Sequence, residues 1–174
     1  MATQGKDLSH YDKNDLPDAA AMRIGIVVSE WNDDITENLF KGAVDTLKDC
    51  GVDAFNIHRM NVPGSFELIY GCKTMQQRTY PVVNRRTKKP LDAIIAIGNV
   101  IRGETAHFDF VCQGVTQGIK DLNINKTRIP VIFCVLTDDT HAQSVARSGG
   151  IHGNKGAEAA IAAIKMAAIK NDHS

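Results

Sequence analysis

The sequence carries no excess of charge of either sign: 20 Lys and Arg are matched by 20 Asp and Glu. That balance gives no support to a nucleic-acid or acidic-substrate partner, which a strongly charged chain would invite. A CxxC pair is also lacking. Cys50, Cys72, Cys112 and Cys134 stand apart, three of them inside predicted elements and Cys50 at the end of one, the pattern of reduced, buried thiols in a cytoplasmic protein. The six histidines are scattered without ligand spacing, so no metal site is expected. Met1 to Ala21 has no apolar core of the kind a signal peptide needs. The Ala/Ile-rich segment from Ala157 to Ile169 is too short to span a bilayer and carries Glu158 and Lys165, so no membrane segment is expected either. What remains is one domain, long enough to bury a core.

What is present is alternation. Residues 1–21 read as an amino-terminal arm, polar and punctuated by Pro17, with Leu8, Tyr11 and Leu16 as its anchors; it is either disordered or laid on a neighbouring subunit. Residues 22–174 read as a single α/β domain. Met22 to Ser29 is a first buried strand, and Asn32 is placed to cap a helix from Asp33 to Cys50 that Gly51 stops. Ala54 to Met60 is a more polar strand at an edge of the sheet. Val62-Pro63-Gly64-Ser65 then breaks the chain before a helix over residues 66–77. Arg78 to Pro90, with two prolines and five basic residues, reads as a solvated loop. Ile129 to Leu136 is a fourth buried strand, followed by a helix over residues 139–147, a glycine-rich bend from Ser148 to Gly153, and a last helix striped by Ala157, Ala160, Ile161, Ile164 and Ala168.

The third strand and helix hold the chemistry. Ala93 to Ile97 is an apolar run ended by Gly98, as in a strand buried on both faces. Phe108, Val111, Cys112, Val115, Ile119 and Leu122 recur every three or four residues, a helical stripe. Between them lies a short glycine loop whose backbone amides at Glu104 and Thr105 are expected to point out of the helix start, where the macrodipole favours an anion such as phosphate. His107 is expected one turn into that helix, partly buried and neutral, in the state of a general base. An ordinary βα turn with an ordinary histidine is the alternative. His107, Phe110, Gly114 and Gly118 form a second face on the helix, for a partner subunit or for another helix of the same chain. Four strand–helix repeats with a helix added give a four-stranded parallel sheet covered on both faces, with ligands at the carboxyl ends of the strands. Trp31, Ser65 to Glu67, Asn99 to His107 and Thr137 onward all follow strands.

The segments SEWND, VPGSFEL, GNVIRGETAHFDFV, VIFCVLT and RSGGIHGNKG, in that order and spacing, resemble the lumazine synthase family of riboflavin biosynthesis. The resemblance runs from Met22 to Lys170. It implies a flavodoxin-like three-layer fold, to which a neighbour's amino-terminal arm would add a strand. It also implies condensation of 5-amino-6-ribitylamino-uracil with 3,4-dihydroxy-2-butanone 4-phosphate to 6,7-dimethyl-8-ribityllumazine, without a cofactor or metal. By the family's pattern Trp31 would stack on the pyrimidine, Ser65, Phe66 and Glu67 would hold the ring and ribityl chain, and Val100 and Ile101 would give backbone contacts. Gly103, Glu104 and Thr105 would bind phosphate together with Arg147, and His107 would move protons. The family's site straddles two subunits, so Phe133, Cys134, Arg147 and Lys155 would come from the neighbour.

Each residue also has a plainer reading. Trp31 and Phe133 could be core, Glu67 could serve a helix dipole, Arg147 could bond helix carbonyls, and Lys155 could be solvated. Three positions depart from the family's usual residues: Trp31 replaces phenylalanine, Phe110 replaces tyrosine, and Cys134 stands where a small residue is usual. The family forms pentamers, and the short bend from Arg147 to Asn154 resembles members whose pentamers close into a 60-subunit shell, with riboflavin synthase as a candidate partner. Two rivals remain: a flavodoxin-like FMN binder, although the first βα loop has no glycine or hydroxyl nest, and a noncatalytic shell protein.

Overall fold

Strands buried on both faces leave no room for polar side chains along their length, which is why runs of Ile, Val and Ala make the middle of the sheet. In the computed structural model, which describes residues 10–82, 87–125 and 128–172, strand β1 is Ile24–Ser29 and is buried throughout. The sheet runs β2-β1-β5-β6, all parallel, with β2 at Ile57–Val62, β5 at Ala93–Ile101 and β6 at Val131–Asp138. The half-exposed β2 lies at an edge, as its polarity requires. Period-two alternation sorts the side chains: Ile24, Ile26, Ile95 and Cys134 enter one layer, and Val27, Ile94, Ala96 and Val135 the other.

Helices α1, Asp33–Asp49, and α5, Lys155–Asp172, cover the first layer. Helices α2, Leu68–Gln76, and α3, His107–Ile124, cover the second. Leu39 and Leu47 of α1 and Leu68 of α2 are fully buried, and each such side chain contributes roughly 1.5–3 kcal/mol relative to exposure. Helix α4, His141–Arg147, starts from a capping box in which Thr140 and Gln143 satisfy each other's backbone amides. The result is the four-stranded parallel sheet covered on both faces that the alternation predicts, in the flavodoxin-like three-layer form that the family resemblance implies.

Several local expectations give way to tertiary context. Asn32 does not cap α1: it adopts the left-handed conformation at φ 59°, makes no cap bond, and turns its Nδ2 towards the Asn99 carbonyl at 3.5 Å. Asp33 and Asp34 supply the negative charge at that helix start. Residues 10–21 pack on their own chain: the Tyr11 hydroxyl donates to Asp49 at 2.7 Å, Lys13 pairs with the same carboxylate, and Ala19 is buried. Leu8, the first expected anchor, lies outside the described residues. Part of the basic loop is a hairpin, with β3 at Tyr80–Pro81 paired antiparallel to β4 at Lys88–Lys89, and the Tyr80 ring lies 4.4 Å from that of His58. The glycine-rich bend likewise forms a small antiparallel pair, β7 at Ser148–Gly150 and β8 at Gly153–Asn154.

The second face of α3 is occupied by α2 and the loop before it only at Gly114 and Gly118, while His107 and Phe110 on the same face are exposed. A Cβ on Gly114 would come within 2.5 Å of the Phe66 ring, and one on Gly118 would overlap Ile69. Close packing within one chain therefore accounts for both glycines. No helix among the described residues is long and apolar enough to cross a membrane.

Candidate active site

Because parallel strands all end on the same side, β1, β2 and β5 deliver their following loops to one edge of the sheet. There they enclose a cleft of about 760 Å³. Trp31 lines it from the loop after β1, Ser65, Phe66 and Glu67 from the loop after β2, and Val100 and Ile101 from the end of β5. Gly103, Thr105 and His107 complete that wall. Trp31 is 73% exposed, which removes the core reading for this side chain. Phe66 is half exposed, with its ring seated against Gly114. Ser65 is buried and its hydroxyl donates to the Asn99 carbonyl at 3.1 Å. That seat exists because Gly98 has no side chain: a Cβ there would lie 2.7 Å from Ser65 Oγ.

The anion loop differs in register from the expected one. Helix α3 begins at His107 with Ala106 as its N-cap, so Glu104 and Thr105 belong to the loop that precedes the first turn. Thr105 explains the shift, since its short hydroxyl competes for backbone donors and sits 3.4 Å from the His107 amide. His107 is the first residue of the helix and stands exposed, in place of the expected partial burial one turn in. Gly103 has no atom within 4 Å of where a Cβ would sit, so nothing in this chain demands a glycine there. Glu104 is exposed and does not line the cleft.

The remaining expected residues lie away from this cleft, and three of them, Cys134, Arg147 and Lys155, form a second group. Phe133 and Cys134 point to opposite faces of the edge strand β6. Arg147 ends α4, where Nη1 donates to the His152 carbonyl at 2.7 Å and Nη2 to Glu158 Oε1 at 2.8 Å. Lys155 opens α5 and donates to the other oxygen of Glu158 at 3.1 Å. Cys134 is fully buried beside them, and that burial pushes its thiol up to about 12, against the smaller opposing pull of Lys155. The carbonyl that Arg147 bonds belongs to the bend after α4 and not to a helix end, and Lys155 is paired and not merely solvated.

The cleft also uses residues to which sequence reasoning gave no site role of their own, Asn99 having been marked only as the start of the segment that follows the third strand. Asn32, Pro63, Gly64, Asn99, Phe108, Phe110 and Val111 line it as well. Asn99 is the most informative: it is 1% exposed, and its carbonyl receives Ser65 and Asn32 from the two neighbouring loops. The Ser144 hydroxyl of α4 reaches its side chain at 3.1 Å and Asp138 at 2.7 Å. The signal was an asparagine at the end of an apolar strand, since a buried amide needs a partner from another element, here the Ser144 hydroxyl of α4.

No group of three or more His, Cys, Asp or Glu among the described residues is arranged to hold a metal ion. The polar groups at the cleft are hydroxyls, an imidazole, a carboxylate and backbone amides, a set suited to proton transfer, with the hydroxyls and amides suited to anion binding. Comparison with known proteins agrees in scope with this layout. The 6,7-dimethyl-8-ribityllumazine synthase family profile matches residues 21–171. A protein of that name from Christiangramia forsetii is 65% identical over 172 residues, covering 99% of this chain and 96% of its own length. One from Flavobacterium johnsoniae is 63% identical over all of this chain and 86% of its own, and one from Porphyromonas gingivalis is 50% identical over 98% and 99%. With the cleft-forming loops inside the matched span, the chain belongs to the 6,7-dimethyl-8-ribityllumazine synthase family.

Proposed function

We propose that this cleft condenses 5-amino-6-ribitylamino-uracil with 3,4-dihydroxy-2-butanone 4-phosphate, giving 6,7-dimethyl-8-ribityllumazine and phosphate, the penultimate step of riboflavin biosynthesis. The observation that carries the reading is the gathering of Trp31, Ser65 to Glu67, Val100, Ile101, Gly103, Thr105 and His107 around one cleft. Trp31 offers an open aromatic face for the pyrimidine. Ser65, Phe66 and Glu67 hold the ring and ribityl chain, and the backbone of Val100 and Ile101 meets the ring edge. Phosphate lies against the loop of Gly103, Glu104 and Thr105 at the start of α3, where amides and dipole favour an anion. The bare space at Gly103 supports this, because close approach of an anion to the backbone is then the reason for a glycine.

Chemically, the amine attacks the ketone and loses water to form a Schiff base, phosphate leaves by elimination, and ring closure expels a second water. Each step moves protons close to a departing anion, which is the work assigned to His107. Holding both substrates edge to edge supplies most of the acceleration, an effect that reaches roughly 7–11 kcal/mol in ideal intramolecular cases.

The second group of residues fits a site shared between subunits. Phe133, Cys134, Arg147 and Lys155 lie outside the cleft of their own chain and complete that of a neighbour, with Arg147 adding charge at the phosphate. Residues 22–174 act as the catalytic domain and 1–21 as its arm, in a cytoplasmic pentamer that closes into a 60-subunit shell able to accompany riboflavin synthase. Mixing the two substrates with purified protein tests the reaction: lumazine absorbance and fluorescence should rise with enzyme concentration. Their absence would leave the FMN-binding or noncatalytic shell reading in its place.

A further inference from the structure

Among the residues of the anion loop, the one with the most elaborate contacts has no part in the chemistry above. Arg102 immediately precedes Gly103. Its backbone amide donates to the Asp138 carbonyl at 2.9 Å, which ties the end of β5 to the end of β6. Its Nε donates to Asp139 Oδ1 at 2.7 Å, and its Nη1 donates to Asp109 Oδ1 at 3.3 Å. The guanidinium also lies over the Phe108 ring, 4.1 Å from its centre, on a side chain that lines the cleft. Asp139 is itself held, because its amide donates to Gln143 Oε1 at 2.8 Å within the α4 capping box.

We infer that Arg102 is a positioning residue for the anion loop: it clamps residues 103–106 between the cap of α4 and the first turn of α3. The inference rests on the proposed site for phosphate. The loop has little else to hold it, since Gly103 is without neighbours at its Cβ position and Thr105 offers one long bond to the next helix. A guanidinium can do this because it is planar and forked, bonding two carboxylates at its edge while stacking on a ring; an ammonium cannot do all three. Its ion pairs are about half exposed, so they add little to global stability, and what they set is local geometry.

The test uses the full-length protein with Arg102→Gln, Arg102→Lys and Asp139→Asn. Michaelis constants for both substrates are measured, together with calorimetric binding of inorganic phosphate, which requires no turnover, and the thermal midpoint. The expected result for Arg102→Gln is roughly tenfold weaker binding of phosphate and of the butanone phosphate, as for loss of one charge-assisted contact. The pyrimidine KM and the melting midpoint should stay near wild type. Arg102→Lys should recover only part of the loss. Asp139→Asn should reproduce it, and the double variant should be no worse than either single, as for two ends of one contact. Unchanged phosphate binding in both Arg102→Gln and Asp139→Asn would overturn the clamp, and so would a parallel loss of both substrates with a lowered melting midpoint. Wild-type protein that made no lumazine would instead overturn the proposed reaction, leaving the phosphate titration to judge Arg102.

Discussion

Trp31 holds an indole in water with nothing in its own chain to cover most of it, an arrangement that folding alone does not favour. Trp31→Ala should therefore leave the melting midpoint nearly unchanged while raising the pyrimidine KM roughly 5- to 150-fold, the range set by about 1–3 kcal/mol of base stacking. Steady-state kinetics beside a thermal melt would show whether the two effects separate. His107→Ala should lower kcat by roughly 10² to 10⁴, as for one general acid–base group, with binding less affected. A mutant running at the wild-type rate across pH would remove His107 from proton transfer. Cys134 works in the opposite sense, since it is sealed in the core and its thiol is held neutral. It should resist iodoacetamide in the folded protein and react only on unfolding. Its raised folded-state pKa means that stability is full below the ordinary thiol value of 9.0 and falls as pH rises from there towards about 12. The slope is about 1.4 kcal/mol per pH unit for one thiol, and Cys134→Ala should flatten alkaline denaturation curves by that amount.

Contacts between elements carry a different set of consequences. Helices α1 and α5 meet so closely that a Cβ on Gly156 would overlap the Leu39 carbonyl, and a backbone atom cannot swing aside as a side chain can. Gly156→Ala should destabilise by about 1–3 kcal/mol, the usual range for overpacking, whereas Gly103→Ala should leave urea unfolding unchanged while weakening phosphate binding. Strand β2 and the hairpin are joined through His58 and Tyr80. Burial, with the charge of Arg23 adding to it, holds the His58 imidazole below its usual range. The unfolded ring takes up a proton first, so this stability is present above the ordinary histidine value of 6.5 and is lost as pH falls below it. His58→Phe should blunt the acid limb of a pH-dependent melting series. The helix starts show why boundaries were harder to read than elements: Asn32 and Thr105 are both good capping types, but their positions are decided by loops that must reach the cleft, Asn32 towards Asn99 and Thr105 ahead of His107.

A single copy of the fold puts the residues proposed for the reaction in two places, one group around the cleft and the other at Arg147, Lys155 and Cys134. If neighbouring copies bring the groups together, activity must depend on association: dilution below the assembly threshold should lower specific activity, and sedimentation should show pentamers or multiples of them. Two inactive variants, Trp31→Ala with His107→Ala in one copy and Arg147→Ala in another, should regain activity when coassembled, because some clefts would then receive a complete set. Failure of mixed assemblies to recover any turnover would place the whole site within one chain.

Spacing along the chain was enough to determine the sheet, its two covering layers and the edge position of β2, because a period of two or of three to four translates directly into which face is buried. The motif residues around Gly103 and His107 were legible for the same local reason, since a loop between a buried strand and a helix has only one end of the sheet to occupy. Tertiary structure alone decided that Gly114 and Gly118 serve the packing of α2 and the loop before it, that Asn99 joins two loops and helix α4, and that Arg102 grips two carboxylates. Those are contacts between segments far apart in sequence, whose partners are set by the crossing of helices and the meeting of loops and not by any pattern within a single element.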